Sequence, residues 1–197
     1  VRGIYPGVSP RRFLDASMIA GTKTMPKQKP KGDYRTPPDF YAAVCKKFGT
    51  PQIDLAATAD NTLCAEFYDA QNTQYWNWPT DRDQLCWLNP PFGDIAPWAR
   101  KAARARCRIL MLIPASVGSN WFLNYVLPHA DIYLLHPRLS FSRKAPRPGE
   151  KIPPYPKDLI LAFYNPPTSA PPAVFPWRWN APEGRGAAGG ARLTDAE

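Results

Sequence analysis

The sequence lacks the signatures of several enzyme classes. Its two histidines, His129 and His136, have neither a Gly-x-Ser-x-Gly partner nor metal-ligand spacing, which leaves hydrolase and metalloenzyme chemistry without a site. It also has no Gly-x-x-x-x-Gly-Lys phosphate-binding loop. The four cysteines form no Cys-x-x-Cys pair, so we interpret them as reduced, buried thiols of a cytosolic protein rather than as zinc ligands or disulfides.

Long apolar segments are absent as well. No run approaches the roughly 18 apolar residues of a membrane span, and the N-terminus has no signal-peptide core, so we expect a cytoplasmic protein without a membrane partner. The 197 residues suffice for one domain with a substantial core. Lys and Arg number 25 against 16 Asp and Glu, and the net charge of +9 favours a polyanionic partner, above all a nucleic acid.

The most informative stretch is 85–93, an apolar run that ends in two prolines. Leu85 to Leu88 are apolar on successive residues, which predicts a strand buried on both faces, as in a parallel sheet. Pro90 and Pro91 cannot continue a ladder of hydrogen bonds. The sequence therefore predicts Asn89 at the carboxyl end of a central strand, where open α/β sheets bind their ligands.

This stretch suits chemistry on an exocyclic amino group of a purine or pyrimidine. Such a group is a poor nucleophile because its lone pair is delocalised into the ring, and acceptors for both amino hydrogens would localise it. Asn89 offers a side-chain oxygen and Pro90 a backbone carbonyl, while Phe92 can stack on the base. Pro90 and Pro91 together would hold these groups in place before the substrate arrives.

An alternative interpretation is a simple turn, because Asn-Pro commonly initiates turns and the chain has 25 prolines. A second Asn-Pro-Pro begins at Asn165 and also follows an apolar run, Leu159 to Tyr164. This copy lacks the aromatic residue and leads into a proline-rich segment. We therefore assign the function to the copy at Asn89.

Apolar spacing predicts the other elements. The first expected helix is capped by Thr36, begins at Pro37 or Pro38, runs to Phe48 and is closed by Gly49. Two more helices are expected over Asp94–Arg106 and Trp121–Leu127. Strands are expected at Pro51–Ala57, Leu63–Tyr68, Ile109–Pro114, Ile132–Leu135 and Leu159–Tyr164. About thirty residues separate the first strand from Leu85, so the sheet either has short second and third strands or is abbreviated.

Five motifs, taken in order, resemble a known family. Asn89-Pro90-Pro91-Phe92 after a strand resembles the catalytic motif of amino-methyltransferases that use S-adenosylmethionine. Together with this motif, four other segments make residues 33–164 similar to the phage-type DNA N6-adenine methyltransferase (Dam) family. These segments are Tyr34-Arg35-Thr36-Pro37, Ile53-Asp54-Leu55-Ala56-Ala57, Leu112-Ile113-Pro114-Ala115 and Arg138-Leu139-Ser140-Phe141.

The resemblance implies a Rossmann-like S-adenosylmethionine-dependent methyltransferase fold, with a mainly parallel sheet and the last strand antiparallel at its edge. It implies that Asn89, Pro90, Pro91 and Phe92 are catalytic. It also implies that the cofactor S-adenosylmethionine contacts Thr36, Pro37, Asp54 and Ala56. Asp69 is added as a candidate because it lies just beyond the second predicted strand, where an acid commonly holds the ribose hydroxyls in nucleotide-binding α/β folds.

The residues alone leave alternatives to these cofactor contacts. Thr36 is sufficiently explained as a helix cap, Asp54 as a cap or turn residue and Asp69 as a surface charge. Most methyltransferases have a glycine-rich turn after the first strand, which this sequence lacks, although Asp-x-Ala-Ala is the pattern of the phage-type family. Trp76 and Trp78 are interpreted as core residues, with shielding of the cofactor adenine as the alternative.

Three segments flank or interrupt the predicted domain. Residues 1–32 form a basic segment, either a mobile arm that touches phosphate or a solvated leader. Residues 138–157 form a long basic loop with interleaved aromatics, our candidate DNA contact. Residues 165–197 are rich in Pro, Ala and Gly, which predicts disorder. The candidate DNA-binding residues of the loop are Arg138, Arg143, Lys144, Arg147 and Lys151.

The resemblance implies a monomer that methylates N6 of adenine in double-stranded DNA without a metal, in the cytoplasm of the bacterial host of a phage or prophage. Protection of that DNA from restriction is the purpose it suggests. The same motif serves enzymes that methylate cytosine N4, guanine in RNA or glutamine in proteins, and the basic segments favour a nucleic acid. A different class, a basic DNA-binding protein without catalysis, predicts DNA affinity without cofactor affinity.

Overall fold

The computed structural model of the protein describes residues 34–69, 77–141, 152–165 and 171–181. These residues form three helices and a sheet of seven strands. The helices are α1 (Pro38–Phe48), α2 (Ala96–Ala102) and α3 (Asn120–Tyr125). The strands are β1 (Ile53–Ala57), β2 (Glu66–Asp69), β3 (Leu85–Leu88), β4 (Arg108–Pro114), β5 (Asp131–His136), β6 (Leu159–Tyr164) and β7 (Val174–Arg178).

The sheet has the strand order β2-β1-β3-β4-β6-β5-β7. All neighbouring pairs are parallel except the two that include β6, which runs antiparallel to β4 and to β5. The prediction of an α/β protein with a mainly parallel sheet is therefore confirmed. The predicted buried strand at Leu85–Leu88 is also confirmed, because β3 lies between β1 and β4 and all four of its residues are buried.

The helices cover the two faces of the sheet. Alternate residues of β3 point to opposite faces, as strand geometry requires: Leu85 and Trp87 pack with α1, and Cys86 and Leu88 pack with α2 and α3. The same alternation continues through β4 and β6, whose residues divide between the same two cores. The carboxyl end of β3 is thus fixed between two packed layers.

Two helix predictions need correction. Helix α1 begins at Pro38 after Pro37, and Thr36 does not cap it, because no side chain caps this helix. Gly49 ends α1 as predicted, with φ of 93° and its N–H bonded to the Cys45 carbonyl. Helix α2 covers seven residues and not the whole of Asp94–Arg106, because the chain has to turn back after Ala102 to enter β4 at Arg108.

The carboxyl-terminal part of the sheet also differs from the prediction. Strand β6 is antiparallel as expected, but it lies between β4 and β5 and not at an edge. The edge is β7, so the prediction of disorder from residue 165 onward is wrong for Val174–Arg178. In β7, Trp177 packs into the core on the α1 side and Phe175 stacks on Tyr133, while the alternate residues are exposed. Pro176 is tolerated there because an edge strand has no neighbour on one side.

Smaller differences concern β2 and the gap before β3. Strand β2 has four residues, of which Glu66 and Phe67 are exposed, so the second strand is short as expected. Trp78 is buried in the core on the α2 side, which confirms its interpretation as a core residue, whereas Trp76 lies outside the described residues. All four cysteines are free; Cys86 and Cys107 are buried, while Cys45 and Cys64 are only half-buried.

Candidate active site

The order of the strands reverses between β1 and β3. From β1 the chain goes to β2 on one side, and then returns to β3 on the other side. Open α/β sheets bind ligands outside the carboxyl ends of their strands at such a switch point. Asn89 directly follows β3, and Thr58 directly follows β1, so both lie at this position. The prediction that Asn89 stands at the carboxyl end of a central strand is confirmed.

The Asn89 amide is held in one orientation. Its Nδ2 donates to the Tyr34 carbonyl at 2.8 Å and to the Thr36 hydroxyl at 3.1 Å. A carbonyl can only accept, so the atom facing Tyr34 must be the nitrogen. Asn89 Oδ1 therefore points away from this pair, and no described residue donates to it. Nor does a described N–H donate to the Pro90 carbonyl. The Asn89 Oδ1 and the Pro90 carbonyl oxygen are thus two available acceptors on adjacent residues.

Phe92 belongs to a cluster of four aromatic rings, which we call the aromatic cluster. The other members are Tyr34, Phe141 and Tyr155. Every pair of ring centroids lies between 5.2 and 6.0 Å apart. Such distances are typical of favourable aromatic contacts. Because the four rings already contact one another, a further flat ring can pack only on the outer surface of the cluster.

A cleft of about 580 Å³ opens next to Thr36, which is within the range of small-molecule sites. Thr36 and Pro37 line one wall, and Asp60 of the loop after β1 lines another. Arg35 also lines the cleft; its guanidinium bonds Asp60 at 2.9 Å, while its buried Nε has no partner among the described residues. The pKa of Asp60 is lowered mainly by the hydrogen bond that its carboxylate accepts from the Thr58 hydroxyl, and the charge of Arg35 contributes.

Asp54 is buried and shapes the loop that lines this cleft. Its carboxylate accepts from the Ala56 N–H at 3.1 Å and, at the long limit of 3.5 Å, from the Leu63 N–H. Burial raises the pKa of Asp54 to about 6, against these two hydrogen bonds. Asp54 and Ala56 do not line the cleft, whereas Asp60 and Leu63 of the same loop do.

A smaller cavity of about 270 Å³ adjoins Phe92 and Tyr155. Trp121, Ser116 and Lys157 add an aromatic ring, a hydroxyl and an ammonium group to its lining, and Asp94 adds a carboxylate. The two cavities share no lining residue, and the Asn89 turn lines only the smaller one; it is linked to the cleft through a hydrogen bond. Thr36, its hydrogen-bond partner, lines the cleft, and Phe92 lines the smaller cavity.

The remaining predicted site residues are scattered. Asp69 ends β2 beside Ala57 and does not line the cleft. Arg138 lines the cleft and bonds Asp158 at 2.7 Å. Arg143, Lys144, Arg147 and Lys151 lie outside the described residues. The ends of their loop are nevertheless fixed, because the Tyr155 N–H donates to the Leu139 carbonyl at 2.7 Å.

Sequence reasoning missed three contributors to the site. Tyr34 was part of a motif but was given no function, and Asp60 was one of several acids that could be surface charges. Trp179, which lines the cleft, fell in the segment expected to be disordered. Its signal was the alternation of Phe175, Trp177 and Trp179, which is the pattern of a half-buried strand.

Neither a metal site nor a membrane span is found in the described part of the chain. No group of three or more His, Cys, Asp or Glu side chains in it could hold a metal ion. None of its helices is long and apolar enough to cross a membrane.

The fold and the site together define an α/β protein with its ligand site at the switch point of a mostly parallel sheet. A model of the family described as DNA N-6-adenine-methyltransferase (Dam) matches residues 22–154. The chain belongs to this Dam family.

One relative is a DNA N-6-adenine-methyltransferase of Escherichia phage T1. It is 28% identical over 92 residues, which are 45% of this chain and 38% of the relative. The chain thus matches well under half of that relative's length. No solved structure matches the chain significantly.

Proposed function

We propose that the protein transfers a methyl group from S-adenosylmethionine to the N6 amino group of adenine in DNA, on a Rossmann-like methyltransferase fold. The observation that carries this proposal is the fixed amide of Asn89. With its nitrogen held by Tyr34 and Thr36, its oxygen is free to accept from a substrate beside the Pro90 carbonyl. Family membership makes adenine the preferred base.

Asn89 and Pro90 act on the amino group by accepting its two hydrogens. This draws the nitrogen lone pair out of conjugation with the ring, and the fixed acceptors need no reorganisation when charge develops. Phe92 stacks against the base and holds it in plane. Neither an amide nor a peptide carbonyl is a base at neutral pH, so the released proton goes to water.

The cleft beside Thr36 fits a cofactor of this size and polarity. The unpartnered Nε of Arg35 is a buried donor that a carboxylate could satisfy, and Asp60 offers an acceptor for hydroxyl or ammonium groups. S-adenosylmethionine, when bound, supplies an electrophilic methyl group whose bond to sulfur breaks as the bond to N6 forms. Thr36 and Pro37 contact it directly, whereas Asp54 and Ala56 act by ordering the loop that carries Asp60. Asp69 has no support as a contact.

The substrate is double-stranded DNA, from which the target adenine has to leave the stack before its amino group is accessible. The smaller cavity beside Phe92 is a suitable place for the extruded base, with Tyr155 and Trp121 as further aromatic surfaces. The two residues that bound the basic loop lie beside different cavities: Phe141 contacts the Phe92 and Tyr155 rings of the smaller cavity, whereas Ile152 lines the cleft. The loop cations Arg143, Lys144, Arg147 and Lys151, with Arg138, contact the phosphates. The protein acts as a monomer in the cytoplasm of a bacterial host.

Methyl transfer from labelled S-adenosylmethionine into unmethylated DNA, followed by nucleoside analysis, tests the proposal. We expect N6-methyladenine. N4-methylcytosine would overturn the choice of base, and a folded protein that binds the cofactor but leaves DNA unlabelled would overturn the choice of substrate. DNA binding without cofactor binding would indicate that the protein is a non-catalytic DNA-binding protein.

A further inference from the structure

A second concentration of positive charge lies away from the candidate active site. Between Asp94 and Asp131 the sequence has no acidic residue. Within this stretch, five cations fall in nine residues: Arg100, Lys101, Arg104, Arg106 and Arg108. A segment so uniform in sign forms a locally positive surface wherever the fold exposes it.

The fold puts this segment at the amino edge of the sheet, opposite Asn89. Helix α2 starts just after the Asn89 turn and runs back along the sheet, so its last turn, with Arg100, approaches the other end. Arg108 then opens β4 opposite Leu85, the first residue of β3. The β3–β4 register puts Asn89 level with Leu112. At about 3.3 Å per residue, Arg108 lies roughly 13 Å along the strands from the level of Asn89.

The five cations differ in how far they are engaged. Lys101 lies over the Trp78 ring and Arg108 over the Phe163 ring, at 4.7 and 5.4 Å from the centroids. Arg100, Arg104 and Arg106 are exposed and make no ion pair with any described residue. We call these three residues the basic rim. By contrast, Arg35 and Arg138 at the carboxyl edge are each paired with an aspartate.

Neither the helix dipole nor neighbouring acids account for the basic rim. Cations in the last turn of a helix complement its dipole, but only Arg100 and Lys101 are in that turn. Arg104 and Arg106 come after the helix has ended. The described acids at the same edge are Glu66, Asp81, Asp83 and Asp131, and none of them forms an ion pair with the rim.

We propose that the basic rim binds the phosphate backbone of DNA outside the segment that presents the target base. This inference rests on the proposed function, because it takes the bound polyanion to be the DNA substrate. Exposed arginines without carboxylate partners suit a uniform row of phosphates, which they contact without reading sequence. Flanking DNA held there would keep the enzyme on a long substrate between turnovers.

The test compares two charge-matched variants. Arg104→Gln with Arg106→Gln removes two rim charges beyond the end of α2, and Arg185→Gln with Arg192→Gln removes two charges from the C-terminal segment. Binding to a 60-bp duplex is measured by fluorescence anisotropy at several salt concentrations without cofactor. Thermal melting of both variants checks that they fold.

For the 60-bp duplex, we expect the rim variant to reduce the slope of log affinity against log salt by about 2 and to weaken binding on the order of 50-fold at 0.1 M salt. The control variant should match the wild type. Equal slopes for the rim and control variants would overturn the proposal. If the wild type binds DNA but transfers no methyl group, the proposed function fails. The comparison of the rim and control variants still tests whether the basic rim binds DNA.

Discussion

Asn89 and Asn165 begin the same Asn-Pro-Pro tripeptide, and each directly follows a buried strand of the same sheet. The difference lies in strand direction. Strand β3 is parallel to its neighbours, so Asn89 emerges at the carboxyl edge, at the switch point. Strand β6 is antiparallel to β4, and its last residue, Tyr164, pairs with Ile109 near the beginning of β4. Asn165 therefore lies at the opposite edge.

The two copies also differ in what surrounds them. Asn89 has a backbone carbonyl and a hydroxyl that fix its amide, and Phe92 follows among three other rings. For Asn165 no side-chain hydrogen bond forms within the described part of the chain, and Thr168 takes the place of the aromatic residue in the sequence. A tripeptide thus becomes a candidate site only through the edge of the sheet at which it lies and through the groups that orient it.

The largest expected effect separates the two copies directly. Asn89→Ala removes one of the two acceptors for the amino hydrogens, and we expect methyl transfer to fall by about 10²–10³-fold, as for other preorganised electrostatic groups. Asn165→Ala should leave the rate unchanged. Both rates are measured with labelled cofactor at saturating DNA. Equal losses in the two variants would contradict the assignment of the first copy.

A second prediction concerns stability, and it depends on Asp54 beneath the cleft. Because burial raises the pKa of Asp54 from its usual value near 4 to about 6, the folded protein binds more protons than the unfolded chain within this window. Stability therefore falls as pH rises from about 4 to about 6, by roughly 3 kcal/mol, and stays lower above it. Asp54→Asn should abolish this decline in urea unfolding curves recorded from pH 4 to pH 7.

Asp60 is the control for that prediction, because the pKa of its carboxyl is lowered. Its contribution to stability is present above the usual carboxyl pKa and is lost as the pH falls through its lowered value. Asp60→Asn should therefore leave the decline from pH 4 to pH 6 in place and should alter the pH dependence only below about pH 4, where it makes stability fall less steeply as the pH falls. A decline with pH that persists in Asp54→Asn would show that another group causes it.

A third prediction makes the first copy resemble the second. Phe92→Thr turns Asn-Pro-Pro-Phe into the Asn-Pro-Pro-Thr found at Asn165. Loss of one base-stacking contact is worth about 1–3 kcal/mol, so kcat/KM for DNA should fall roughly 5- to 150-fold. Phe92→Tyr keeps the ring and should retain most of the activity. A Phe92→Thr protein that loses cofactor affinity instead would show that the ring supports the cleft rather than the base.

The smallest expected effect comes from Thr36, which orients Asn89 through one hydrogen bond. Thr36→Val removes that acceptor, and the cost of about 1 kcal/mol should lower kcat by roughly 5-fold. Thr36→Ser should restore the rate. The loss should be absent when Asn89 is already alanine, because the two substitutions remove the same interaction. A higher Kd for the cofactor with kcat unchanged would contradict a positioning role.

Much of the sheet's interior could be predicted because local patterns determine it. Successive apolar residues identify β3, β4 and β6, and Gly49 marks the end of α1. The lateral position of β6 could not be predicted, since it depends on pairing between distant strands rather than on any feature of Leu159–Tyr164 itself. Strand β7 was missed because Pro176 and the prolines before the strand outweighed a clear alternation of aromatic residues.

For the site, the sequence predicted the position of Asn89 but not what holds it. The hydrogen bond to the Tyr34 carbonyl joins residues 55 positions apart, and a backbone carbonyl leaves no signature in a sequence. The contact between Tyr34 and Tyr155 likewise depends on the folded chain. Thr36 had a sufficient local explanation as a helix cap, and that explanation concealed its bond to Asn89.

The position of β6 bears on where the smallest independently folding fragment can end. The family match stops at residue 154, yet β6 fills the gap between β4 and β5. A fragment cut there would leave unpaired N–H and C=O groups along both strands in the middle of the sheet. Trp179 extends the requirement, because its ring contacts Phe40 and lines the cleft. A truncation series should therefore yield folded, cofactor-binding protein only when the chain continues through Trp179.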